Sequence, residues 1–180
     1  DGNEIVVKVP PGTQVTDAVK ETSIKISDGV DGMVSSLTQQ ERLLTFLETL
    51  MKSEHSNSDA TSGSAFNRIV GSGGYFDDES KHPNKVGFID KQGRKSTAAG
   101  AFQITGTTYN DIAPKLGVSD FSAQSQTEVA TALIKRAGAL DDVLAGRFEI
   151  AIDKLKNVWT SLPGNTDPTQ SQRKWDTIKQ

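Results

Sequence analysis

The chain has 180 residues, no cysteine, 34% hydrophobic and 24% charged residues, and a formal net charge of -3. Those values exclude disulfides, a thiolate metal site and the basic footprint of a general nucleic-acid binder, so no nucleic-acid partner is expected. No apolar run approaches the ~18 residues of a membrane-spanning helix, and only 6% of residues are aromatic, so the core must be lean.

Residues 1–37 differ in character from the rest. Glu4 to Val9 (EIVVKV) reads as a short strand, stopped by Pro10-Pro11-Gly12. The stretch up to Leu37 is mixed and rich in Gly, Ser, Thr and Asp. It is expected to be a linker or arm, the alternative being the tail of a preceding domain. A first residue Asp1 without a signal segment reads as a fragment of a longer polypeptide.

At Thr38 the pattern sharpens. Thr38 and Glu41 have the spacing of a capping box, and Leu43, Phe46, Leu47, Leu50 and Met51 recur at helical spacing. A helix is expected from Gln39 to Glu54, ended by turn formers Ser56 to Asp59. Residues 56–105 are glycine-rich with short extended pieces, NRIVG and KVGFID, which predict loops and a small sheet or hairpin. Helices follow over about Thr107–Leu116, Ala123–Ala137, Ala139–Ala145 and Phe148–Trp159. A last one opens at Pro168 and carries Trp175 and Ile178. The expected class is α+β, mainly α, with one small β region inserted after the first helix.

Glu54 follows Leu43 by eleven residues, which at about 100° per residue returns it to within roughly 20° of the apolar face. Burial there, and the helix dipole at a C-terminus, both disfavour the charged carboxylate and so favour a general acid. Spacing alone favours the plainer reading, a frayed helix end with Glu54 turned to solvent.

Seven segments then occur in order: FLETLMKSEHSN (46–57), IVGSGGYF (69–76), KHPNK (81–85), KSTAAGAFQI (95–104), KLGVSDFSAQSQ (115–126), KRAGAL (135–140) and AIDKLKNVWTSLPG (151–164). Together they resemble the bacteriophage lambda endolysin family, lytic transglycosylases with a lysozyme-like fold. The resemblance covers about Thr38 to Gln180, which makes 38–180 the expected catalytic domain. It implies that Glu54 is the single catalytic acid and base, with Lys52 and His55 standing where the family has an aromatic residue and a glycine. It also implies that the Lys95–Ile104 segment lines the cleft, so that Gln103, Ser96 and Thr97 are candidate substrate contacts. For Ser96 and Thr97, turn and helix-cap roles are the alternative. Thr108 and Tyr109 replace paired tryptophans of the family, and Tyr109 is retained as a candidate sugar contact.

The implied reaction cleaves the bond between N-acetylmuramic acid and N-acetylglucosamine and closes a 1,6-anhydro ring without water. Two readings compete with it: a water-using muramidase and a non-catalytic peptidoglycan-binding tail module. A hydrolase usually needs a second carboxylate, for which Asp77 and Asp78 are the nominees, though a surface-loop role suits them better. Tyr75, after the Gly71-Ser72-Gly73-Gly74 run, is a further substrate candidate on either a mobile flap or a plain turn. With only His55 and His82 and no cysteine, no metal site and no cofactor are expected. The expected partner is the glycan strand of peptidoglycan. The unmatched arm points to a domain of a phage tail or virion protein, placed in the virion or host periplasm.

Overall fold

A computed structural model describes residues 37–55 and 57–165. The expected N-terminal strand, the arm and the last helix lie outside the described residues.

Helix α1 spans Gln39–Glu54. Thr38 opens it with the expected capping box: its amide donates to Glu41 Oε2 at 2.7 Å, and its Oγ1 accepts the Glu41 amide at 3.3 Å. The stripe Leu43, Phe46, Leu47, Leu50 and Met51 is wholly buried, each residue at most 1% exposed. At Glu54 the helix stops because His55 turns extended, with φ -124° and ψ 165°.

A short helix α2, Asn57–Ser62, and a 3-10 turn, Ser64–Asn67, follow. Helix α2 corrects the expectation of a plain turn over Ser56 to Asp59. Strands β1 (Phe88–Ile89) and β2 (Lys95–Ser96) pair antiparallel, Phe88 opposite Ser96 and Ile89 opposite Lys95. Isolated bridges Arg68–Tyr75, Ile69–Ala99 and Ala99–Ile104 extend this region towards the core.

The helical remainder comprises α3 (Gly106–Leu116), α4 (Ala123–Arg136), α5 (Leu140–Leu144) and α6 (Phe148–Leu155). Helix α4 ends where Gly138 takes φ +69°, which lets the Ala139 amide reach back to Ile134 O at 3.1 Å. Helix α6 ends four residues before the expected Trp159. Its last turn tightens instead, with Val158 N donating to Leu155 O at 2.8 Å.

One core unites these elements. α5 and α6 lie against α1, where the Phe46 and Phe148 rings meet edge to face at 5.2 Å and Arg42 Nη1 donates to Leu144 O at 2.9 Å. Val129, Ala130, Leu133 and Ile134 bury the inner face of α4, as the spacing predicts. The fold is lysozyme-like and mainly helical, with a small two-stranded sheet after α1. Replacing a ring such as Phe46 by alanine removes buried surface and leaves a cavity, a cost of about 3–5 kcal/mol.

Candidate active site

Glu54 is the last residue of α1 and is half-buried. Ser161, from the stretch after α6, donates its hydroxyl to Glu54 Oε1. The Ser161 Oγ also lies 3.2 Å from Ser53 Oγ, and Ser53 Oγ donates to Leu50 O at 2.7 Å. A carbonyl oxygen only accepts, so the Ser53 proton is committed to Leu50. Ser161 is left with one proton and two oxygen neighbours. It donates to Glu54 when the acid is ionised; when the acid is protonated it accepts from Glu54 and turns its own proton to Ser53. The serine pair therefore suits both protonation states of one carboxylate.

Opposite this helix end lies the turn Ala99–Ile104, closed by reciprocal bonds of 3.0 Å between Ala99 and Ile104. Two residues in it take left-handed backbone, Gly100 at φ +78° and Gln103 at φ +47°. For a glutamine that conformation costs roughly 1–2 kcal/mol, so the rest of the turn must hold it. His55 Nε2 reaches both Gly100 O and Ala101 O at 3.1 Å, and Trp159 Nε1 donates to Phe102 O at 2.9 Å. Gln126, fully buried, accepts the Ala101 amide at 2.9 Å and donates to Phe66 O and Phe121 O at 2.9 and 2.8 Å. The Gln103 amide nitrogen donates to Gly100 O at 3.0 Å. Burial lowers the His55 pKa below the usual histidine value, outweighing its carbonyl partners. The ring is thus a neutral donor through Nε2.

The other candidates from the sequence divide. Ser96 and Thr97 are half-buried at the edge of the turn, where Ser96 Oγ accepts the Ala98 amide at 3.3 Å and Thr97 Oγ1 the Gly106 amide at 3.1 Å. Tyr75 is 50% exposed, with its hydroxyl on Asp59 Oδ1 at 3.0 Å and the Arg68 guanidinium 4.9 Å from its ring centre. The glycine run before it forms a turn: Ile69 N donates to Gly74 O at 2.8 Å, and Lys85 Nζ reaches Gly73 O at 3.0 Å. Tyr109 departs from its expected place on the cleft surface. It is 6% exposed, packs against His82 and Phe121 with ring centres 5.6 and 5.1 Å away, and donates its hydroxyl to Asp120 O. An apolar ring finds more partners in that core than at a wet rim, so Tyr109 is a packing residue here.

Asp77 and Asp78 are exposed, and Asp78 Oδ1 accepts the Ser80 amide at 2.9 Å. The Ser80 hydroxyl, and after it that backbone bond, hold the Asp78 carboxyl below the ordinary aspartate range, as for a turn-capping side chain. His82 is 3% exposed, donates to Ile104 O at 2.9 Å through Nε2 and accepts the Asn84 amide on Nδ1 at 3.0 Å. Both ring nitrogens are used in packing the loop, and burial lowers its pKa. Among the described residues no group of acidic, histidine or cysteine side chains could hold a metal ion.

Sequence reasoning missed Ser53, Ser161, Gln126 and Asp59. The serines lack any local motif, since Ser161 meets Glu54 across 107 positions. Asp59, on α2, is close enough to His55 to act on its charge and accepts from both Tyr75 and Ser64, at 3.0 and 3.1 Å.

Comparison with known proteins gives the family to which this chain is similar. The sequence profile of the family described as Endolysin matches residues 44–180. The endolysin of Escherichia phage P2 is 36% identical over 137 residues, covering 71% of this chain and 83% of that protein. The endolysin of Escherichia phage lambda is 38% identical over 121 residues, covering 66% and 75%. Among solved structures, bacteriophage lambda lysozyme complexed with a chitohexasaccharide superposes with a TM-score of 0.65 at 31% identity, over 79% of this chain and 91% of that one. A second structure of lambda lysozyme gives 0.61 at 31% identity, over 74% and 85%. The chain belongs to the endolysin family and is a peptidoglycan-degrading, lysozyme-like glycosidase.

Proposed function

We propose that the chain is a lytic transglycosylase whose single acid–base group is Glu54. The supporting observation is the Ser161–Glu54 contact: a hydroxyl that can donate to the carboxylate and accept from the acid suits a group that must be both in turn. In the first step protonated Glu54 gives its proton to the glycosidic oxygen between N-acetylmuramic acid and N-acetylglucosamine. In the second, the Glu54 carboxylate takes the proton of the muramoyl C6 hydroxyl, whose oxygen closes on C1. The product is a 1,6-anhydro end, and no water is consumed.

Gln103, Ser96, Thr97 and Tyr75 are the proposed contacts to the glycan strand. The sugar hexamer held by the related lambda lysozyme supports a glycan ligand for this cleft. The unmatched N-terminal stretch supports a virion or tail context acting on the bacterial wall, with other virion proteins as partners.

Hydrolysis with water is the second reading, and Asp59 favours it as a second carboxylate close to the helix end. The test is digestion of purified peptidoglycan in ¹⁸O-labelled water, read by mass spectrometry. Unlabelled muramoyl ends, each one water lighter than a reducing end, are expected. The Glu54→Gln variant should lose at least about 10²-fold in rate. Labelled reducing ends would establish hydrolysis, and an active Glu54→Gln variant would remove Glu54 from the mechanism.

A further inference from the structure

Two side chains 48 positions apart donate to one oxygen. Gly100 O receives His55 Nε2 at 3.1 Å and Gln103 Nε2 at 3.0 Å. The same His55 nitrogen also reaches Ala101 O at 3.1 Å, which fixes the hydrogen on Nε2, since carbonyls only accept. His55 is the residue directly after Glu54, and at 4% exposure its ring has little room to move. Gln103, a proposed substrate contact, sits at φ +47° in the same turn.

We infer that His55 is a positioning residue, tethering the end of α1 to the Gly100–Gln103 turn so that Glu54 and Gln103 meet the glycan at a fixed separation. The inference rests on the reading of Glu54 as the acid and Gln103 as a substrate contact. Physically, the chain beyond Glu54 turns extended at once, and helix geometry gives it no further hold on the turn. The bifurcated His55 bond supplies that hold. It also satisfies Ala101 O, which would otherwise lose a donor in a buried place. The charged groups acting on the ring are Asp59 and Arg68, one favouring and one opposing protonation. With burial dominant the ring stays neutral and keeps its Nε2 donor.

A reacting group displaced by about 1 Å can cost about 10²-fold in rate. His55→Leu keeps the bulk and removes the donor; kcat/KM on soluble peptidoglycan fragments should fall about 10- to 100-fold. His55→Gln carries two amide hydrogens on a nitrogen at similar reach and should recover to within a few-fold. The deciding measurement is a double-mutant cycle with Gln103→Ala, with Tm followed beside kcat/KM. If His55 acts through the turn that holds Gln103, the double variant loses little more activity than the worse single variant. Losses that multiply would show that His55 merely stabilises the fold and would overturn the inference, as would full activity in a folded His55→Leu protein. If His55→Leu does not fold, His55→Gln and His55→Asn decide. Near-full activity in His55→Gln, with a loss in His55→Asn (whose shorter amide misses the carbonyls) that does not multiply with that of Gln103→Ala, supports the tether. Equal losses in His55→Gln and His55→Asn overturn it. An inactive Glu54→Gln with a fully active Gln103→Ala defeats the tether alone. An active Glu54→Gln defeats the underlying reading as well.

Discussion

Ser161 donates its hydroxyl to Oε1 of Glu54, although 107 positions separate them. A hydrogen bond to an ionised group is worth about 1.5–3 kcal/mol, equivalent to roughly 10- to 100-fold in rate if it is lost only during reaction. Ser161→Ala should therefore lower kcat by about that factor while changing Tm by little, since Ser161 is only half-buried. Ser161→Thr keeps the hydroxyl and should retain most activity. A full-rate Ser161→Ala protein would show that the contact is incidental.

Among the acids, the two nominated from sequence and the one found by geometry should behave differently. Asp77→Asn and Asp78→Asn should each leave wall clearance within a few-fold, because both side chains are exposed and Asp78 caps its own turn. Asp59→Asn weakens the anchors of Tyr75 and Ser64 and should raise KM more than it lowers kcat. A collapse of kcat in Asp59→Asn, accompanied by ¹⁸O in the product ends, is the pattern of a water-activating base.

Stability should fall as pH drops from about 6.5 towards 5. His55 and His82 both have folded pKa values depressed by burial, while the unfolded chain protonates near the ordinary 6.5. Between the folded and unfolded values the unfolded state binds more protons, so stability is present above the window and is lost on acidification. The shifted aspartates titrate below the ordinary aspartate value of 3.8 and so lie beneath this window. Urea unfolding at pH 7.5 and 5 checks the sign; equal or greater stability at pH 5 would contradict it.

Two glycines with the same φ of +78° offer a controlled comparison. A Cβ on Gly93 meets nothing within 4 Å, whereas a Cβ on Gly100 falls 2.2 Å from Gln126 Oε1. Gly93→Ala should cost about 1–2 kcal/mol from backbone strain alone. Gly100→Ala adds the displacement of a fully buried, fully bonded amide, for a total of about 3 kcal/mol or more. Thermal melts of the two variants should separate by several degrees, and similar melts would mean that the turn yields easily.

The helices that declare themselves by period were legible before any coordinates. The α1 stripe from Leu43 to Met51 and the α4 stripe from Val129 to Ile134 are buried as their spacing requires. The end of α1 at Glu54 was legible from the turn formers that follow it, whereas spacing alone favoured a side chain turned to solvent and its role came only from the family resemblance. Helix α2, Asn57–Ser62, was not legible, because it opens on Asn57-Ser58-Asp59, residue types that favour turns. Tyr109 was misplaced because an aromatic residue on an amphipathic helix fits a sugar platform and a core equally well until its neighbours, His82 and Phe121, are known. Ser161, Ser53 and Gln126 carry no periodic signal; their roles exist only once distant segments meet.

Gln126 spends both amide hydrogens and its oxygen on three backbone groups, at Phe66, Ala101 and Phe121, that come from three separate stretches. No one of those stretches can lift away without stranding polar atoms in a fully buried place. The three stretches are therefore expected to open as one cooperative unit rather than loop by loop. In hydrogen exchange the Ala101 amide should carry protection comparable to that of the α4 core, an uncommon rigidity for a turn.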